Sequence, residues 1–265
     1  MKSIRTFAAT LIAAVMMLTG CNTIKPIPNG EKIGVVLMHG KGGTTQWVDP
    51  LGSSLRSAGV QVDVPDMAWH RDRIYDKTFD EAMAEIKSHV VKMKSKGVQS
   101  VYVAGHSLGA IAAAGYGARY DDVQGIILLA PGHFTAWWGF HRHFVDDLSK
   151  AESMIKSGKG NEESSFSDSN MGKSYTRHIT ANVFKSWFSD TGPAEFVSNM
   201  TNIKRGIPVL YVAGSQDRNP QTQNREYAFN KAPTNSKSKF VIIASDHLDV
   251  PRKADEVVIE WLRNM

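Results

Sequence analysis

From Lys32 onward, short apolar runs alternate with segments in which apolar residues recur every three or four positions. The runs cover 33–38, 60–64, 101–104, 126–130, 208–213 and 240–244, and each stops at turn residues or, in the last case, at Ser245-Asp246-His247. Near-continuous β-branched runs suit strands covered on both faces, as in a parallel sheet, whereas a strand with one solvated face alternates apolar with polar. Between them, 50–58, 80–96, 108–120 and 252–263 read as helices. In the second, Ala82, Ile86, Val90 and Met93 form a stripe that can cover a sheet. Strand and helix in alternation predict a three-layer α/β fold around a minimal six-stranded, mostly parallel sheet.

The rhythm breaks once. Between His133 and about Arg205 no run reads as a strand; the chain passes an aromatic cluster (Phe134, Trp137, Trp138, Phe140, Phe144) and then a polar stretch, 156–173. Lying between two sheet strands, residues 133–205 read as a helical cap inserted into a domain that spans 32–265.

The front of the chain has a different pattern: Lys2 and Arg5, an apolar run from Phe7 to Leu18, then Thr19-Gly20-Cys21. A run of 12 residues is too short to cross a hydrocarbon core of roughly 30 Å as a helix, so 1–20 reads as a signal peptide. Leu18-Thr19-Gly20-Cys21 resembles the lipobox of bacterial lipoproteins, and Cys21, the only cysteine, is then the acylated first residue of the mature chain. Residues 21–31, with Pro26, Pro28 and Gly30, read as a tether. The expected location is the bacterial cell envelope, anchored to the membrane by lipid; by resemblance, Asn22 favours the outer membrane. The formal charge of +5 includes Lys2 and Arg5, and the remaining cations are interleaved with acids, which argues against a nucleic-acid partner. One cysteine excludes a disulfide framework. His141-x-His143 lacks a third ligand at useful spacing, so no metal and no cofactor is expected.

Gly105-His106-Ser107-Leu108-Gly109 follows a predicted strand and opens a predicted helix. In that setting G-x-S-x-G is a sharp turn that raises the serine hydroxyl above the sheet edge, and small residues two before and two after avoid collision. A serine hydroxyl needs a base, and the base an orienting acid. His247 follows the last apolar run and Asp217 lies four residues past Ala213, each at a strand's C-terminal end. Asp146, Asp147, Asp246 and Asp249 are the other acids that compete for the role, though a residue beside His247 would need a contorted turn to meet its ring. His39-Gly40-Lys41-Gly42-Gly43 follows the first strand, where glycines let the backbone turn its amides inward; the N–H groups of Lys41 and Leu108 are the candidate oxyanion donors. Trp69, His133, Trp137 and Trp138 are candidate pocket walls. His39 and His106 read as braces of their loops.

With its His-Gly loop, serine turn, late acid and late histidine, the chain resembles the α/β-hydrolase fold family from about Lys32 to the C-terminus. Only about ten residues separate Cys21 from the first strand, which leaves no room for that family's first two antiparallel strands. The resemblance implies a serine hydrolase acting on an ester or related acyl bond of a small-molecule substrate, of carboxylesterase, lipase or thioesterase type, through an acyl-enzyme formed by Ser107, His247 and Asp217. A catalytically silent binding lipoprotein on the same fold is the alternative. The oligomeric state has no signature in the sequence.

Overall fold

The computed structural model describes residues 24–265; the segment 1–20 and Cys21 lie outside the described residues. The strands are β1 (Ile33–Met38), β2 (Gln61–Asp63), β3 (Ser100–His106), β4 (Gly125–Leu129), β5 (Glu163–Asn170), β6 (Lys173–Thr180), β7 (Val209–Gly214) and β8 (Lys239–Ile243). The helices are α1 (Asp49–Ser57), α2 (Phe79–Ser95), α3 (Leu108–Arg119), α4 (Trp138–His141), α5 (Val145–Lys156), α6 (Ala181–Phe188), α7 (Phe196–Thr201), α8 (Pro220–Gln223), α9 (Val250–Lys253) and α10 (Asp255–Arg263).

Six strands form one parallel sheet in the order β2-β1-β3-β4-β7-β8. Alternate residues of the four inner strands enter different cores. Val35, Leu37, Ile127, Leu129, Leu210 and Val212 pack with α1 and α10, while Val36, Met38, Ile126, Leu128, Val209 and Tyr211 pack with α2 and α3. Both faces of the inner strands β1, β3, β4 and β7 are therefore dry, which is why their runs carry no polar alternation, whereas the edge strand β2 alternates Val62 with Gln61 and Asp63 and the edge strand β8 is partly exposed. The stripe predicted on α2 is the one that covers the sheet: Ala82, Ile86 and Val90 are fully buried. A capping box closes its N-terminus, the Thr78 side chain accepting from the Glu81 amide and the Glu81 side chain from the Thr78 amide. Truncation of Ile86 to alanine would cost about 2–5 kcal/mol.

The chain runs from β1 out to β2 on one edge and returns to β3 on the other side of β1, so the order reverses between β1 and β3. In open parallel sheets the crevice beyond the strands' C-terminal ends at such a reversal is where ligands bind. The loop after β1 begins at His39 and the turn after β3 at Ser107.

Two segments differ from their sequence reading. The insertion between β4 and β7 holds helices α4 to α7, but its polar stretch folds into the antiparallel hairpin β5–β6. Only Phe166 and Asp168 of β5 are buried, so no apolar alternation marks the strand. Its two-residue turn, Met171-Gly172, has φ of 51° and 76°, the geometry of a tight hairpin turn in which asparagine-glycine is the usual signal. Of the segment 21–31, read from the sequence as a tether, the described part packs on the body instead of standing clear of it. Ile24 packs against the core, Lys25 O accepts from Arg263 at 2.9 Å, and Ile27 is buried with its N–H donating to Ala58 O at 2.8 Å.

Candidate active site

Ser107 sits between β3 and α3 with φ 55° and ψ −116°, a backbone conformation that a non-glycine residue holds only under strain. The flanking glycines make the turn possible. A Cβ on Gly105 would lie 2.1 Å from Gly109 O, and one on Gly109 would lie 2.6 Å from His39 O, so no larger residue fits either position. The turn also presses Ser107 against the loop after β1: a Cβ on Gly40 would be 3.1 Å from Ser107 Cβ.

The loops after β7 and β8 bring the other two groups to it. His247 Nε2 lies 2.9 Å from Ser107 Oγ, and His247 Nδ1 lies 2.6 Å from Asp217 Oδ2. The carboxylate obliges Nδ1 to carry the proton and so leaves Nε2 as the acceptor facing the serine hydroxyl. Asp217 Oδ1 accepts the Asn219 N–H at 2.9 Å, which fixes the carboxylate's rotation. Asp246 accepts from the Asp249 N–H instead, and Asp249 pairs with Arg252 at 2.6 Å. Neither contacts the imidazole through a hydrogen bond among the described residues. On the cap, Asp147 accepts the Ser167 N–H and is likewise engaged elsewhere.

Two further histidines hold this frame. His106 Nε2 is 2.8 Å from His247 O, so its N–H donates to the main chain of the histidine loop. Burial lowers its pKa to about 3, with His247 adding to the effect, and the ring stays neutral. His39 Nδ1–H donates to Gly40 O at 2.9 Å while its Nε2 accepts the Met67 N–H at 3.2 Å. Burial lowers its pKa to about 4. Gly40 O also accepts the Gly43 N–H at 3.1 Å, and Gly42 N–H donates to Trp69 O at 2.9 Å. Among the described residues the N–H groups of Lys41 and Leu108 have no hydrogen-bond partner, and both residues line the cavity above Ser107.

That cavity has a volume of about 650 Å³ and is walled by the sheet loops below and the cap above. His133 and Trp137 line it; Trp69 and Trp138 do not. The Trp69 indole N–H donates to His39 O at 2.7 Å and its ring packs on Trp187 of the cap, 5.6 Å between centroids, so it braces the loop and the cap from beneath. Trp138 is 65% exposed, because adjacent residues entering α4 point to opposite sides. His133 Nε2–H donates to Trp187 O at 2.7 Å, and burial lowers the ring's pKa to about 3 with Lys41 contributing. His141, one half of the His-x-His pair, lies 3.8 Å from Asp190, while His143 is exposed.

Several residues of the site had no sequence signal as such. Gly132 reads as an ordinary turn after β4, yet a Cβ there would lie 3.0 Å from Ser107 Oγ and 3.4 Å from His247 Cε1. Asp168, Ser169 and Asn170 reach the site through the hairpin, and only recognition of a Met-Gly hairpin turn could have brought them forward.

The family model described as Serine aminopeptidase, S33, matches residues 31–247. The chain belongs to this hydrolase family. Its fold is that of the α/β hydrolases, and the protein is an enzyme of the hydrolase class. Solved structures share the architecture. One is from work on LipS and LipT, two metagenome-derived lipolytic enzymes, with 17% identity, a TM-score of 0.60, and coverage of 90% of this chain and 95% of that one. Est1E from Butyrivibrio proteoclasticus with ferulic acid bound has 20% identity, a TM-score of 0.58, and coverage of 90% and 93%. A monoacylglycerol lipase from Paleococcus ferrophilus has 18% identity, a TM-score of 0.59, and coverage of 91% and 96%. Likeness at such identities is likeness of fold. No curated protein matches the chain significantly.

Proposed function

We propose that this S33-family chain is a serine hydrolase that cleaves an ester or related acyl bond, with Ser107 as nucleophile, His247 as base and then acid, and Asp217 as its orienting carboxylate. The observation that carries the reading is the unbroken relay Ser107–His247–Asp217, at 2.9 and 2.6 Å, on the floor of the cavity. Ser107 Oγ attacks the acyl carbon as its proton passes to His247 Nε2, and Asp217 stabilises the imidazolium that results. The carbonyl oxygen becomes an oxyanion and takes hydrogen bonds from the N–H groups of Lys41 and Leu108; removing one such donor typically costs about 2.7–4 kcal/mol of transition-state stabilisation. Collapse of the intermediate breaks the bond to the leaving oxygen, which receives the proton from His247, and leaves an acyl group on Ser107. Water then attacks that acyl group, gives its proton to His247, and the acid departs as Ser107 regains its hydrogen.

The family's descriptive name invites an aminopeptidase reading, which the cavity does not favour. A free α-ammonium needs an uncommitted carboxylate. Asp217 is bonded to His247 and Asn219, and Asp246, whose Oδ1 accepts the Asp249 N–H, stands at the exposed rim, where water screens a charge pair to about 0–1 kcal/mol. Trp137 and Phe140 instead offer apolar walls, which suit an acyl chain. The test is a set of matched substrates: p-nitrophenyl butyrate, a butyryl thioester, butyryl p-nitroanilide and leucine p-nitroanilide. Ester and thioester turnover should exceed anilide turnover by orders of magnitude, whereas leucine p-nitroanilide as the best substrate would overturn the reading.

The lipid anchor is part of the proposal and rests on the sequence 18–21. Among the described residues no helix is long and apolar enough to cross a membrane. Acylation at Cys21 would hold the enzyme at the cell envelope, with Ile24 already packed against the core of the body. Several acyl chains anchor stably where one does so marginally. Cys21→Ala should move the protein from the membrane fraction to the soluble one; a mutant that still sediments after a high-salt wash would refute the anchor.

A further inference from the structure

The residue that carries one candidate oxyanion donor is gripped by the cap. Lys41 belongs to the loop after β1, yet its side chain is buried. Its ammonium donates to Asp168 Oδ1 at 2.7 Å and to Ser169 O at 3.0 Å, and lies 5.0 Å from the Phe188 centroid. Its carbonyl accepts the Asn170 side-chain N–H at 3.1 Å. Three consecutive residues at the end of β5 thus hold a single residue of the catalytic loop. Arg177 on β6 donates to the other Asp168 oxygen at 3.1 Å. Burial alone would raise the Asp168 carboxyl, but Lys41 and Arg177 outweigh it and keep the group below its ordinary range.

A buried ion pair adds little net stability, because desolvation offsets its attraction. Placement is what this pair supplies. The Lys41 N–H lies on the peptide plane that also carries Gly40 O, and that oxygen is fixed by His39 Nδ1–H and Gly43 N–H. The loop's own bonds therefore hold one end of the plane. The Lys41 Cα, at the other end, is fixed by the hairpin through the side chain and the carbonyl of Lys41.

We propose that Asp168 and Asn170 are positioning residues for hydrolysis, the cap hairpin aiming the Lys41 main-chain N–H at the acyl oxygen as it becomes negative. The proposal rests on the serine-hydrolase reading above. It makes the cap part of the catalytic frame as well as the wall of the substrate cavity. Because the donor acts on charge that develops only in the transition state, loosening it lowers kcat and spares KM.

The test uses the full chain, p-nitrophenyl butyrate as substrate and butylboronic acid as a probe of matched size. On the wild type, Ser107 Oγ bonds to boron, its proton passes to His247 Nε2, and boron becomes the centre of a tetrahedral anion in the place of the acyl carbon, with one of its hydroxyl oxygens in the oxyanion position. Asn170→Leu removes the donor to Lys41 O and leaves the ion pair intact. It should lower kcat at least about 10-fold, leave KM within about 3-fold, and weaken boronate inhibition by the same factor as kcat/KM, with the fold intact by circular dichroism. Asp168→Asn, which loosens the cap as well, should lower kcat further. An Asn170→Leu enzyme with unchanged kcat, or with weakened turnover and undiminished boronate affinity, would overturn the positioning role. Ser107→Ala separates the two levels: if it keeps turnover or boronate binding, the nucleophile reading itself is wrong, whereas a dead Ser107→Ala beside an unaffected Asn170→Leu refutes the positioning alone.

Discussion

Asp217→Asn changes one atom, and the structure says which way that atom must point. Asp217 Oδ1 accepts the Asn219 N–H at 2.9 Å and Oδ2 accepts His247 Nδ1–H at 2.6 Å. In the variant the amide oxygen must stay opposite the Asn219 N–H, so the NH2 group faces His247. The imidazole then has to accept at Nδ1 and carry its proton on Nε2, where it can only donate to Ser107 Oγ. A base that already holds its proton cannot remove another. Flipping the amide would restore the tautomer but set two donors, NH2 and the Asn219 N–H, against each other at a site where the side chain is 2% exposed. An unmade buried hydrogen bond costs about 1–3 kcal/mol, which holds the competent orientation to about one molecule in six to about one in a hundred and sixty. Even in that fraction the imidazolium lacks its counter-charge. The combined loss in kcat should therefore lie between about 10² and 10⁴, the upper figure being that of the corresponding change in a serine protease. The assay is steady-state hydrolysis of p-nitrophenyl butyrate at pH 7.5, with circular dichroism to confirm folding. Asp246→Asn and Asp249→Asn, whose carboxylates bond their own turn and Arg252, should lose less than about 3-fold. An Asp217→Asn enzyme that keeps more than a tenth of its turnover would refute the reasoning and return the acid's role to one of its neighbours.

Gly132→Ala should lower kcat by about 10-fold or more without lowering the melting temperature, because its methyl would crowd Ser107 Oγ at 3.0 Å and His247 Cε1 at 3.4 Å and displace the serine by a few tenths of an ångström; wild-type kinetics would refute it. Trp137→Ala should shift the acyl-chain-length profile on p-nitrophenyl esters while Trp138→Ala leaves it unchanged, since only Trp137 lines the cavity; equal effects would contradict the assignment. Stability should fall with acid. His39, His106 and His133 are buried neutral with pKa values of about 4, 3 and 3, so the unfolded chain binds more protons below about pH 6.5 and their contribution, intact above that pH, is lost as pH falls toward those values. At pH 5 the loss is roughly 2 kcal/mol for each histidine at 1.36 kcal/mol per unit, about 6 kcal/mol together. Urea unfolding at pH 7 and pH 5 measures it, and equal midpoints would refute it.

The centre of the sheet was legible because both of its faces are dry there: Val35 and Val36 enter different cores, so the inner strands could be read from continuous apolar runs without knowing which face was which. The meeting of Ser107, Asp217 and His247 was legible because each stands just past a strand of a parallel sheet, where the C-terminal ends share one edge. The hairpin was not, since a cap strand needs to bury only Phe166 and Asp168 and its other residues are free to be polar. With it went Asp168 and Asn170, whose meeting with Lys41 spans 127 and 129 positions of sequence. Trp137 and Trp138 were equivalent on paper, and only the local backbone entering α4 decides which faces the cavity.

The central claim is that Ser107 is an activated nucleophile, and it can be tested without knowing the natural substrate. The wild-type protein is treated with a fluorophosphonate, digested with trypsin, and the peptide 97–119 is sequenced by tandem mass spectrometry. Phosphorus bonds to the serine oxygen, fluoride leaves, and the serine proton passes to His247. The account predicts one adduct per chain, on Ser107 and absent from Ser107→Ala. An unmodified Ser107 in folded protein, or an adduct that persists in the alanine variant, would contradict it.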